Sequence, residues 1–319
     1  ASETLGKLGS VNAPAGAFTV ALAAALTVTW MTRLGIPVST SQAIVGSIVG
    51  WNLFSGSATD LTTLTRIVSS WILCPILAAV FAVCLLKVAE ALLRVTPLHL
   101  FRIDVTTRYG LIVAGAFASY SLGANNIANV MGVFVPSAPF GELDVFGLFQ
   151  LNAAQQLFLI GGIAIAVGVF TYSKRVMLTV GSRLFQLSPI AALVVVIAQG
   201  LVLFLFSSEG LQNWLSSRSL PTIPLVPVSS SQAVVGAIIG IGLAKGGHNI
   251  RFGVLGRISS GWVATPVVSA AIAFVLLFFV QNVFSQPVHT PAQYRLPSEV
   301  VAAQAPPPCP AASRSAGRR

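Results

Sequence analysis

Two near-identical hexapeptides hold much of the polar chemistry of this 319-residue chain: Pro37-Val-Ser-Thr-Ser-Gln42 and Pro227-Val-Ser-Ser-Ser-Gln232. A proline suits the entry to a helix, where its missing N–H costs nothing. The hydroxyls that follow are Ser39, Thr40 and Ser41 in one copy and Ser229, Ser230 and Ser231 in the other. Free N–H groups at a helix start favour an anion. Hydroxyls and N–H groups together can surround the oxygens of a tetrahedral oxyanion without a full positive charge. The competing reading is that these side chains only cap and pack two helices, since small residues favour close helix contacts. A third segment, Gly123-Ala-Asn-Asn-Ile-Ala-Asn129, places three asparagines in an apolar stretch and is expected to break its helix. Its amides could hold a cation through their carbonyl oxygens, donate to an anion, or satisfy unwound backbone. Interhelical bonding is the plainer alternative.

These segments must be positioned by a chain that is 55% hydrophobic and only 8% charged. Soluble domains carry roughly 25% charged residues. So little charge cannot cover a water-facing surface, and lipid must cover most of it. The net charge of +10 does not point to nucleic acid, because the basic residues lie between apolar runs and form no basic module. Three cysteines make no disulfide framework, and three histidines give no metal site. Neither a phosphate-binding glycine loop nor a nucleophile with its base is present, so no cofactor or enzyme activity is expected.

Spanning helices need ~20 mostly apolar residues. Candidates lie near 15–33, 66–90, 108–122, 154–172, 187–206 and 257–281, the third continuing past Gly123 into 127–135. Two apolar pieces, 38–51 and 228–244, are too short or too rich in glycine and serine to span. Interrupted segments of this kind at corresponding places in two halves mark membrane binding sites. Lys174, Arg175 and Arg183 place the 173–186 loop in the cytoplasm, and the 136–152 loop, which has no base, outside. Arg66 and Arg257 are expected to snorkel, Gln155, Gln156 and Gln199 to be structural, and His248 to lie in a surface turn.

The hexapeptides belong to a longer repeat. Residues 37–50 match 227–240 at an offset of 190, and Arg66, Trp71 and Pro75 match Arg257, Trp262 and Pro266 at 191. Upstream, Gly6 and Pro14 match Gly181 and Pro189 at 175. Recurrence favours binding over capping alone, because inverted repeats meet at the ligand. The expected fold is an all-α, polytopic membrane bundle of two inverted repeats, with broken helices and re-entrant-type half-helices. Residues 1–90 form the C-terminal portion of repeat one, 91–107 a polar connector, 108–284 repeat two, and 285–319 a disordered tail rich in proline and alanine. The counterpart of the asparagine segment in repeat one would fall roughly 60–70 residues before Ala1, which predicts an N-terminally truncated repeat one.

In these residues the chain resembles the inorganic phosphate transporter (PiT) family of cation-coupled symporters. That family carries two inverted copies of a Gly-Ala-Asn-Asp-x-x-Asn segment, each followed by a Pro-x-Ser-Thr/Ser-Thr/Ser segment. Gly123–Asn129 resembles the first, and Pro37–Gln42 and Pro227–Gln232 the second. The resemblance covers residues 1–284. It implies phosphate symport with Na⁺ or H⁺ by alternating access in a multi-pass protein of the plasma membrane. Ser39, Thr40, Ser41, Ser229, Ser230, Ser231, Asn125 and Asn126 would bind the anion, and Asn126 and Asn129 the cation. A homodimer is a further expectation, and lipid is the other partner. The chain departs from the family pattern at Asn126, where Asp is usual, and at Gln42 and Gln232, where many relatives have His. A sulfate permease of the same fold is the nearest alternative; an anion channel or a non-transporting receptor is the alternative from another class.

Overall fold

The computed structural model describes residues 2–9, 11–36, 38–95, 100–145, 149–184, 188–246 and 252–290. Its helices are α1 (Ser2–Leu8), α2 (Pro14–Arg33), α3 (Thr40–Ser55), α4 (Leu61–Val95), α5 (Leu100–Met131), α6 (Ala153–Leu184), α7 (Pro189–Ser207), α8 (Glu209–Ser217), α9 (Ser230–Ala244) and α10 (Phe252–Asn282). Six stretches among the described residues are long and apolar enough to cross a bilayer: Pro14–Arg33, Leu61–Val95, Arg102–Ser137, Ala153–Thr171, Pro189–Ser207 and Leu255–Asn282. The protein is an integral, multi-pass, all-α membrane protein. Helices α3 and α9, of 16 and 15 residues, are the two short pieces expected from the repeat. At 1.5 Å per residue neither covers a hydrocarbon core of ~30 Å.

Several boundaries differ from expectation for local reasons. Helix α4 starts at Leu61 because Asp60 caps it, its carboxylate accepting from Thr62 N, Thr63 N and Thr63 Oγ1 at 2.9, 3.2 and 2.6 Å. The Thr63 hydroxyl is the main cause that holds the Asp60 carboxyl below its ordinary range. The polar connector is helical on both flanks: α4 runs to Val95 and α5 begins at Leu100. The Asp104–Arg108 pair, 3.1 Å apart at i,i+4 spacing, fits a helix surface. The 136–152 loop holds a short antiparallel hairpin, Leu143–Val145 with Phe149–Leu151. The backbone of the basic 173–186 segment is helical to Leu184, and the loop 207–226 contains α8. Pro37, His248 and Cys309 lie outside the described residues, as does the tail from 291. Residues 285–289 turn back onto the bundle: Val288 is buried, and its carbonyl accepts from Trp51 Nε1 at 3.0 Å.

The helices that carry the matching sequence stretches exchange partners. Helix α3 of the first copy packs on α10 of the second, and α9 of the second on α4 of the first. Each contact has the same register. A Cβ on Gly46 would strike the Pro266 carbonyl, and one on Gly50 would lie 2.5 Å from Ala270 O. Likewise a Cβ on Gly236 would strike the Pro75 carbonyl, and one on Gly240 would lie 2.5 Å from Ala79 O. Glycine is needed at these four places because helix backbones touch there. Pro75 and Pro266 sit inside their helices and remove the N–H that would bond the carbonyls of Trp71 and Trp262. The cross-packed pairs enclose the core, in which Ile48, Ala78, Ala198, Leu203 and Ala237 are fully buried.

Candidate oxyanion site

The two hexapeptides meet. Ser41 Oγ, at the start of α3, donates to the Val228 carbonyl just before α9 at 2.7 Å. Helix α5 lies against both. Asn125 binds the Val228 peptide at each end: its Nδ2 donates to Val228 O at 2.9 Å, and Val228 N donates to its Oδ1 at 3.1 Å. Asn129 Nδ2 donates to Ser41 Oγ at 2.9 Å and to Asn126 Oδ1 at 3.4 Å. Thr40 Oγ1 donates to Asn126 Oδ1 at 3.3 Å. One polar network therefore joins three elements that are far apart in sequence.

Helix α5 does not break at Gly123–Asn129, contrary to expectation. It is α-helical from Leu100 to Met131 and changes to a 3-10 helix over Gly132–Ser137, which contains Pro136. The helix continues because the asparagine side chains find partners on neighbouring elements and need not satisfy their own backbone. Spacings of one, three and four residues put Asn125, Asn126 and Asn129 on adjoining parts of one helix face.

The six hydroxyls divide into three roles by position. Ser39 and Ser229 are N-caps with extended backbone (φ −108°, ψ 124° and φ −93°, ψ 113°), accepting from Gln42 N at 3.4 Å and Gln232 N at 3.3 Å. Both serines thus cap their helices. Ser41 is committed to Val228, and Ser231 Oγ lies 3.0 Å from Ser229 Oγ. The first helical residues, Thr40 and Ser230, are equivalent in the repeat and the least committed. Thr40 is exposed with one long bond, and Ser230 is half-buried with no side-chain bond among the described residues. The chemistry at the junction is that of two helix N-termini, hydroxyls and amides, and none of the residues in the network carries charge. Asn129 Oδ1 is buried and has no donor among the described residues.

Sequence reasoning missed Val228, whose peptide is the hub of the network. The signal was its place inside the repeated hexapeptide, before the hydroxyls, but a valine gives no hint that its backbone is what is recognised. Gln155 and Gln156 are structural, as expected. Gln155 and Asn152 exchange bonds at 2.9 Å at the start of α6, and Gln156 Nε2 donates to Gly141 O at 2.7 Å. Arg66 and Arg257 are exposed near the starts of their spans.

Comparison with known proteins gives several matches. The family model described as the phosphate transporter family matches residues 3–104, 96–212 and 219–312. A protein of Methanocaldococcus jannaschii bearing a phosphate permease name is 29% identical over 82% of this chain and 74% of its own length. The sulfate permease CysP of Bacillus subtilis is 30% identical over 80% of this chain and 64% of its own. A solved structure titled as the sodium-dependent phosphate transporter superposes with a TM-score of 0.63 at 20% identity, covering 88% of this chain and 85% of that one.

Proposed function

Since the chain belongs to the phosphate transporter family, we propose that it carries inorganic phosphate across a membrane as a secondary active symporter coupled to Na⁺. Phosphate sits where the starts of α3 and α9 meet the asparagine face of α5. The observation that carries this reading is the network from Thr40 through Asn126, Asn129 and Ser41 to Val228 and Asn125. It brings two helix N-termini and their hydroxyls to one point, where N–H groups favour an anion. Thr40 and Ser230 supply the first hydroxyl ligands, Ser41, Ser231 and Asn125 shape the walls, and Ser39 and Ser229 hold the helix starts. Na⁺ is preferred to H⁺ because the network contains no titratable side chain, whereas carbonyl oxygens of Asn126 and Asn129 suit a hard cation. Asn129 Oδ1, buried without a donor, is the acceptor that such an ion would satisfy. The cross-packed pairs α3·α10 and α4·α9 act as rigid units of two inverted repeats, which rock about the site to give alternating access.

Proteoliposomes test this directly. With an inward Na⁺ gradient, labelled phosphate accumulates, and replacing Na⁺ by choline reduces uptake about tenfold while a protonophore changes little. Uptake that ignores Na⁺ and collapses with the protonophore would assign the coupling to H⁺.

A second reading is sulfate transport at the same site, favoured by the similarity to the sulfate permease and by a wall that lacks a carboxylate at Asn126. It predicts labelled sulfate uptake that excess phosphate leaves unaffected.

A further inference from the structure

Each hexapeptide has the Ser-x-x-Gln form of a capping box, in which the glutamine should reach back to the N-cap N–H. Only the forward half forms. Gln42 N and Gln232 N donate to their serines, but both Oε1 atoms are buried without a partner among the described residues, although the residues are 2% and 4% exposed. Two further orphans obey the same repeat: the indole Nε1 atoms of Trp71 and Trp262, equivalent residues on α4 and α10. Buried polar groups are nearly always paired, so four orphans in two equivalent sets call for an explanation.

The packing register shows how they are arranged. Gly46 lies on Pro266 and Gly50 on Ala270. One turn earlier on both helices puts Gln42 level with Trp262. Gly236 on Pro75 and Gly240 on Ala79 put Gln232 level with Trp71 in the same way. Each level thus holds one unpaired donor and one unpaired acceptor, just inside the hydroxyls of the site. They do not bond each other, although doing so would remove two orphans at once. The glycine contacts lock backbone on backbone, so a helix shift cannot bring them together.

We propose that the couples Gln42/Trp262 and Gln232/Trp71 determine specificity for a protonated oxyanion. In each, the indole N–H donates to an anion oxygen; the single O–H of the anion donates to one glutamine Oε1 at a time, that of Gln42 or of Gln232 according to how the anion is turned. Hydrogen phosphate offers both an acceptor and a donor; sulfate offers no donor. The four atoms are closed off from solvent in this conformation, and the anion reaches them with a rotation of the side chains. The proposal rests on the reading of the junction as a phosphate site.

The probe is monofluorophosphate, a dianion in which fluorine replaces the O–H of hydrogen phosphate. Competition against labelled phosphate uptake is measured in proteoliposomes above neutral pH, where both are dianions. The wild-type protein should prefer phosphate to monofluorophosphate by about tenfold or more. Gln42→Met with Gln232→Met, close to volume-conserving, should bring that ratio near one and weaken phosphate more than sulfate. Equal competition by the two anions at the wild-type protein overturns the proposal without any variant. So does a double variant that loses uptake of both anions in parallel or keeps the wild-type ratio. Accumulation of sulfate but not phosphate by the wild-type protein overturns the phosphate reading itself, and this inference with it.

Discussion

Asn125→Ala is expected to abolish phosphate uptake and to destabilise the protein by roughly 2–4 kcal/mol. Asn125 is 1% exposed and makes both hydrogen bonds to the Val228 peptide. Its removal leaves the Val228 N–H without its partner in a dry site. Stranding a buried donor costs ~1–3 kcal/mol, and the truncation adds lost packing. The Val228 carbonyl keeps Ser41 as a donor, so the loss is not doubled. The larger effect is on function, because this peptide sets the position of Ser229 and hence of the α9 start. Asn125→Asp should be no better. It keeps the acceptor for Val228 N, loses the donor to Val228 O, and adds a buried charge with no partner in the network. Thermal unfolding in detergent, together with uptake, checks both variants. Wild-type uptake by Asn125→Ala would mean that α5 only packs against the hexapeptides.

Gly46→Ala combined with Gly236→Ala should be the more damaging pair for stability. In each case the new methyl would meet the backbone carbonyl of a proline, and not the flexible end of a side chain. Backbone cannot turn aside, so α3 must part from α10 and α9 from α4. Overpacking of this kind costs ~1–3 kcal/mol per site, and the two sites are separate enough to add. The expected result is a loss of roughly 2–6 kcal/mol and a markedly lower melting temperature. Gly123→Ala is the control. It sits within α5 with open space around its Cβ position, so alanine should be neutral or stabilising by roughly 0.5–1 kcal/mol. Comparing the melting temperatures of the three proteins tests whether glycines serve where helix backbones cross or wherever a motif contains them.

What could be read before the structure was whatever repeats or shows in composition. The spans followed from apolar length, and the short α3 and α9 from hydropathy interrupted by glycine and serine. The meeting of two distant hexapeptides followed from recurrence alone. Other features depend on partners that a sequence does not name. Three consecutive hydroxyls look alike as letters, yet the helix start makes Ser39 a cap, leaves Thr40 exposed and points Ser41 at Val228. The asparagine segment seemed to require a broken helix because buried amides need partners. Those partners come from other elements, so α5 stays intact. The tail boundary was drawn by composition, which cannot show that Val288 returns to bond Trp51. Nor does a glutamine in a capping box announce that its side chain will leave the box half made.

The most direct measurement of the central claim, that two helix starts face one phosphate, is phosphate affinity in Thr40→Ala with Ser230→Ala set beside Ser39→Ala with Ser229→Ala. The first pair removes the least committed hydroxyl from each start, the second removes the caps. The account predicts that Thr40→Ala with Ser230→Ala weakens phosphate about tenfold or more with little change in melting temperature. The cap pair should lower the melting temperature, at about 1 kcal/mol per cap. Unchanged phosphate affinity in a stable Thr40→Ala, Ser230→Ala protein would contradict the account, because the anion would then not lie between the starts of α3 and α9.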